Sequence, residues 1–168
     1  MKKLLKIIDT SSHWTGSISR WLCLVLILVA TFDVVMRYVF NAPTVWAYEV
    51  CIMVGAAIYA LGWAYGHLHK SHVRVDIFYS RLSTKGRAVL DIICFPLFFF
   101  PLMFLMSETA ISWTLRAIKL NEKMAESFWY PPATPLRFIM ALGFSLFFLQ
   151  GLAQFIRDIY TLLKGKSA

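Results

Sequence analysis

Residues 37–49 read RYVFNAPTVWAYE, which sets an arginine, an asparagine, a proline, a tryptophan and a glutamate between two apolar runs. Before it comes WLCLVLILVATF (21–32), and after it VCIMVGAAIYALGWAYG (50–66). A helix needs about 20 apolar residues to cross the hydrocarbon core of a bilayer. Both flanks meet that length once their neighbours are included, so the stretch reads as the turn of a membrane hairpin. Two readings of its polar residues compete: an architectural turn, or a ligand site at the membrane surface.

Two further runs of the same kind follow. One holds IICFPLFFFPLMFLM (92–106), and the other FIMALGFSLFFLQGLAQFI (138–156). With 59% hydrophobic and 15% charged residues in 168, the chain has more apolar surface than a soluble domain of this length can hide. Lipid removes that difficulty by replacing water as the solvent. The spans must be helical, because an isolated strand leaves backbone groups unpaired in lipid, and continuous runs do not fit a barrel. The expectation is an all-α integral membrane protein of one domain, residues 1–168. Its four transmembrane helices are expected near 17–40, 44–67, 86–115 and 134–163. Pro96 and Pro101 stand inside the third and are candidates for bending it.

The net charge of +8 does not point to nucleic acid, because the basic residues sit at the ends of apolar runs rather than in one stripe. Twelve of the seventeen fall in the N-terminal tail, the loop between the second and third spans, and the C-terminal end. Arg37, Arg116, Lys119, Lys123 and Arg137 fall on the other side. The excess places both termini in the cytoplasm. MKKLLKII (1–8) has the charge of a signal-peptide start, but no small-residue cleavage site follows, so the first span is read as an uncleaved anchor. Residues 1–9 either lie on the inner surface as a short amphipathic helix or fray; residues 76–83 are a second candidate for an interfacial helix.

Cys23, Cys51 and Cys94 all lie in apolar segments without C-x-x-C spacing, which disfavours a membrane thiol oxidase. The span centres are free of charge. Asp33, Glu49 and Glu108 fall towards the outer ends and Asp91 towards the inner end, whereas proton relays and substrate cradles place ionisable groups at mid-membrane. Around the opening stretch, Asp33 and Arg37 are spaced i, i+4 in the favourable order. Arg37 and Glu49 flank a short turn and are expected to pair across it. Pro43 suits a helix entry, and Trp46 suits the interface. Asp33, Arg37, Asn41, Trp46 and Glu49 are therefore read as a structural polar cluster in preference to a ligand site. Gly55, Gly62 and Gly66 lie on a small-residue span and are candidates for close helix approach. HLHKSHVRVD (67–76) has H-x-H-x-x-H spacing, but one basic loop with no second axial histidine in another span is a poor metal or haem site. No cofactor is expected.

The order of these elements carries a resemblance. RYVFNAPTVWAYE after one span, a small-residue span, HVRVD (72–76) on the inner side, and ESFWYPPATPLRFIMALGFSLFFLQGLAQ (126–154) before the close resemble the small membrane subunit, the Q subunit, of TRAP transporters. The likeness runs from about Arg20 to Asp158. Its matching positions are Arg37, Tyr38, Phe40, Asn41, Pro43, Trp46, Glu49, His72, Arg74, Asp76 and Gln150. It implies a non-enzymatic scaffold in a sodium-driven importer of organic acids in the bacterial inner membrane. The implied partners are a large membrane subunit (M), which carries substrate and sodium, and a periplasmic substrate-binding protein (P). Because the chain ends after the fourth span, it implies a subunit not fused to the large one. The rival readings are a four-helix redox subunit using the histidines, and a stand-alone small transporter.

Overall fold

The structure, a computed structural model, describes residues 2–69 and 84–164. Five α-helices account for most of it: α1 Lys2–Tyr38, α2 Ala47–Leu68, α3 Thr84–Cys94, α4 Phe100–Leu120 and α5 Thr134–Lys164. A π-helical turn, Phe95–Phe99, joins α3 to α4. Four helical segments have the length and apolarity to span a membrane: Leu5–Tyr38, Ala47–Leu68, Ile92–Leu120 and Thr134–Tyr160. The expected interfacial helix at 76–83 lies outside the described residues. Residues 2–9 are the first turns of α1, not a separate surface helix, because no proline interrupts the chain between them and the span.

The π-turn has a local cause. Pro101 has no N–H and its ring crowds the carbonyl of the preceding turn. The chain widens just before it, so that the Phe100 N–H reaches the Phe95 carbonyl, five residues back. A π-turn of this kind accommodates the misfit without ending the helix. The third span therefore continues to Leu120, beyond the expected 115.

The helices pack in the order α1, α2, α5, α4, with α5 against all the others and α1 and α4 outermost. Lipid supplies no hydrophobic force to press helices together, so small residues that allow close backbone approach matter most. Ala57, Ala60, Leu61 and Ala64 are buried along α2, and Ala141 and Ala153 along α5. At Gly143 a Cβ would meet the Ala60 carbonyl oxygen at 2.6 Å and its Cβ at 2.7 Å. A Cβ at Gly16 would run into the Tyr65 ring, and one at Gly151 into the Phe99 ring. Of the glycines expected to pack, Gly62 faces Ser19 of α1 at 3.6 Å, whereas Gly55 meets nothing within 4 Å. Gly66 is half-buried. The approaches at Gly16 of α1 and at Gly143 and Gly151 of α5 are tighter than those at Gly55 and Gly62 of α2.

Phenylalanines fill the α3–α5 side: Phe95, Phe99, Phe100, Phe147, Phe148 and Phe155 form a chain of ring contacts with centroids 5.0–6.4 Å apart. Several hydroxyls along the spans donate to backbone carbonyls. Thr114 Oγ1 donates to the Ala110 carbonyl and Ser145 Oγ to the Ala141 carbonyl, both at 2.7 Å. Ser19 Oγ crosses to the Ile58 carbonyl of α2 at 2.9 Å.

Gly143→Val is expected to force α2 from α5 and to cost about 1–3 kcal/mol, as overpacking does. Gly55→Ala is expected to leave stability unchanged or slightly raised, since its methyl meets open space and alanine favours a helix. Thermal unfolding in detergent, followed by circular dichroism, compares the two; equal melting temperatures would contradict the packing.

Candidate functional site

Polar side chains gather at the two ends of the bundle. At the outer end, Arg37 lies in the last turn of α1, where its side chain leans back along its own helix. Arg37 Nη2 meets Asp33 Oδ2 at 2.8 Å. The other oxygen of Asp33 accepts a short hydrogen bond from Thr44 Oγ1. One carboxylate thus closes the α1 end and holds the turn to α2. Asn41 takes a left-handed φ of 52°, a conformation asparagine tolerates better than most residues. The Ala42 N–H then returns to the Met36 carbonyl at 2.9 Å. Trp46 stacks on Phe32 of α1, with centroids 6.0 Å apart. Pro43 stays in the turn, three residues short of the Trp46 cap of α2, because Thr44 is tied to Asp33.

The expected Arg37–Glu49 pair does not form. Arg37 is engaged by Asp33, and Glu49 points inward from the first turn of α2, with 0% of its surface exposed. Its Oε1 accepts the Ser127 backbone N–H at 2.6 Å. Its Oε2 has no hydrogen-bond partner among the described residues. The structure therefore groups Asp33, Arg37, Asn41 and Trp46 with the first turn and assigns Glu49 to the second outer connection, residues 121–133.

That connection is folded. Asn121, at φ 46°, caps α4 in the left-handed conformation. Ala133 N–H donates to the Glu122 carbonyl at 2.9 Å and Met124 N–H to the Pro131 carbonyl at 2.8 Å, so the loop doubles back on itself. The Glu122 carboxylate bridges Arg116 at 2.9 Å and Arg137 at 2.5 Å. Arg137 also donates to the Trp113 carbonyl at 3.2 Å. These contacts join α4 to α5, and Glu49 joins the loop to α2. The loop's tie to α2 depends on a backbone amide, Ser127, that residue types do not reveal.

At the inner end, Gln150 of α5 is buried, with 1% exposed. Its Oε1 accepts from Ser12 Oγ at 2.9 Å, and its Nε2 donates to Asp9 Oδ1 at 3.1 Å. Arg157 Nη2 meets Asp9 Oδ2 at 2.5 Å. Asp9 and Ser12 were not among the expected site residues. A signal was present: Ser12, Gly16 and Ser19 recur at helical spacing and continue the packed face of α1 towards its N-terminus. His67 and His69 diverge. His67 lies buried among Phe95, Phe99 and Phe147. His69, two residues on, faces Tyr65 at 4.2 Å and His13 at 6.4 Å between centroids. The two side chains occupy different surroundings rather than one ligand set. His72, Arg74 and Asp76 lie outside the described residues.

Both clusters consist of groups that fasten one segment to another. A family model described as "Tripartite ATP-independent periplasmic transporters, DctQ component" matches residues 26–161. No curated protein matches the chain.

Glu49→Ala is expected to destabilise the outer loop by about 1–3 kcal/mol, the usual cost of leaving a buried donor without its acceptor. Hydrogen exchange at the Ser127 amide should quicken. Arg37→Gln should leave that amide protected, and the double variant should be additive within about 0.5 kcal/mol; strong coupling would restore the Arg37–Glu49 pair. Gln150→Leu is expected to lose about 1–3 kcal/mol. Combined with Ser12→Ala it should lose less than the sum, as read from melting in detergent.

Proposed function

The chain belongs to the DctQ family, the small membrane component of tripartite ATP-independent periplasmic transporters, and from that premise we propose that it is the static brace of a sodium-driven importer of organic acids. In this reading it stands in the inner membrane with both termini cytoplasmic. It holds a large subunit that carries substrate and sodium, and that subunit receives its cargo from a periplasmic binding protein. The chain performs no catalysis of its own.

The observation that carries the reading is the use made of the polar side chains. Asp33, Glu49 and Glu122 fasten the outer turns, and Asp9, Ser12 and Gln150 fasten α1 to α5. A carrier needs ionisable groups that change partners at mid-membrane; here Asp9, Asp33, Glu49 and Glu122 are engaged at the ends in holding segments together. A brace also needs surface for a neighbour, and α1 and α4 turn broad apolar faces outward.

Two measurements test this. In a variant lacking Cys23, Cys51 and Cys94, a cysteine replacing exposed Glu126 should react with an impermeant thiol reagent in intact spheroplasts, whereas one replacing Ser71 should not; the reverse pattern overturns the orientation. The full chain should co-purify with a large polytopic subunit and show no uptake alone in liposomes. Transport by the chain alone would refute the brace.

A further inference from the structure

We propose that the inner half of α1 is a seat for an acidic phospholipid of the cytoplasmic leaflet. The proposal rests on the inward orientation of the termini proposed above. The packed face of α1 carries Ser12, Gly16 and Ser19, all buried. At 3.6 residues per turn, Lys3, Ile7, Thr10, Trp14, Ile18 and Trp21 fall on the opposite face. Every one of them is exposed, Trp14 by 67% and Trp21 by 72%. The stripe is divided along its length: Lys3, Lys6, Thr10 and Ser11 below, Trp14, Ile18 and Trp21 above. Lys3, Lys6, Ile7, Thr10 and Ser11 line a shallow depression of about 430 Å³.

Depth fits the same occupant. The His13 and His69 rings, 6.4 Å apart, put residue 13 level with the end of α2. The 22 residues of α2 cover about 33 Å, close to the hydrocarbon thickness. Thr10 and Ser11 then lie at about headgroup depth. Lys6 and Lys3 lie about 10–15 Å beyond His13, from where long side chains reach back to phosphate. Trp14 marks the interface, and Ile18 and Trp21 offer an acyl chain an apolar wall.

Charge decides the lipid class. Asp9 is the one acid in the first thirty-two residues, and it is turned away, bound to Arg157 and Gln150. The exposed stripe is therefore purely cationic, and each lysine near an anionic headgroup adds attraction. A protein partner on this face would have to strip water from Lys3 and Lys6 and supply acids to match.

The test uses the full chain in mild detergent with equal amounts of phosphatidylglycerol and phosphatidylcholine, read by native mass spectrometry. Phosphatidylglycerol should be retained preferentially, and Lys3→Gln with Lys6→Gln should cut that preference by about tenfold. Lys119→Gln with Lys123→Gln, at the other end, should not change it. A photo-crosslinking residue at Trp14, in the assembled transporter, should label lipid. Equal retention by the wild type and the Lys3/Lys6 variant overturns the seat, as does a crosslink at Trp14 to a protein subunit. Termini found outside the membrane by thiol labelling would instead overturn the orientation, a failure separate from loss of lipid preference in detergent.

Discussion

The approach of α5 to α2 at Gly143 and Ala60 is the contact on which the other packing depends. Apolar area drives little between helices already in lipid, so attraction must come from backbones brought near enough for dispersion and polar contacts. The missing side chain at Gly143 permits that nearness, and it places α5 where α1, α2, α3 and α4 can all reach it. Gly151 repeats the device below, admitting the Phe99 ring. The π-turn before Pro101 then keeps the third span continuous along α5.

Polar ties secure what close packing begins. In lipid an unpaired polar group has no water to turn to, so a buried one that finds a partner ties its helix to another. Gln150 is the clearest case. Its amide uses an acceptor and a donor at once, towards Ser12 and Asp9, and so sets the register of α1 against α5. At the other end Glu122 spans two arginines from two helices, and Glu49 receives an amide from the loop between them. The helices are locked at both ends and closely apposed between.

Such a body is suited to holding still. A moving transporter domain needs interfaces that exchange partners. Here Asp9, Asp33, Glu122 and Gln150 are committed to structure, and the outward surfaces of α1 and α4 are mostly apolar. On the function proposed above for this small membrane component of a tripartite transporter, that division would leave motion to a large subunit and give this chain the part of a frame set in the bilayer.

Span number, helical state and the positions of the polar ends were legible in residues 37–49 and the apolar runs around them, because hydropathy and length decide whether a segment crosses lipid. The run from Trp21 to Phe32 could be nothing but a span. Partner choice was not legible in the same way. Arg37 and Glu49 are opposite in charge and flank one turn, yet a helix points Arg37 back to Asp33 and Glu49 into the bundle. Glu49 found a backbone amide 78 residues away, and an amide is common to every residue but proline. Asp9 looked like part of a basic tail until α1 continued through it to meet Gln150. Local composition governs which segments enter the membrane; which groups meet inside it follows from helix rotation and depth, and only the packed bundle decides those.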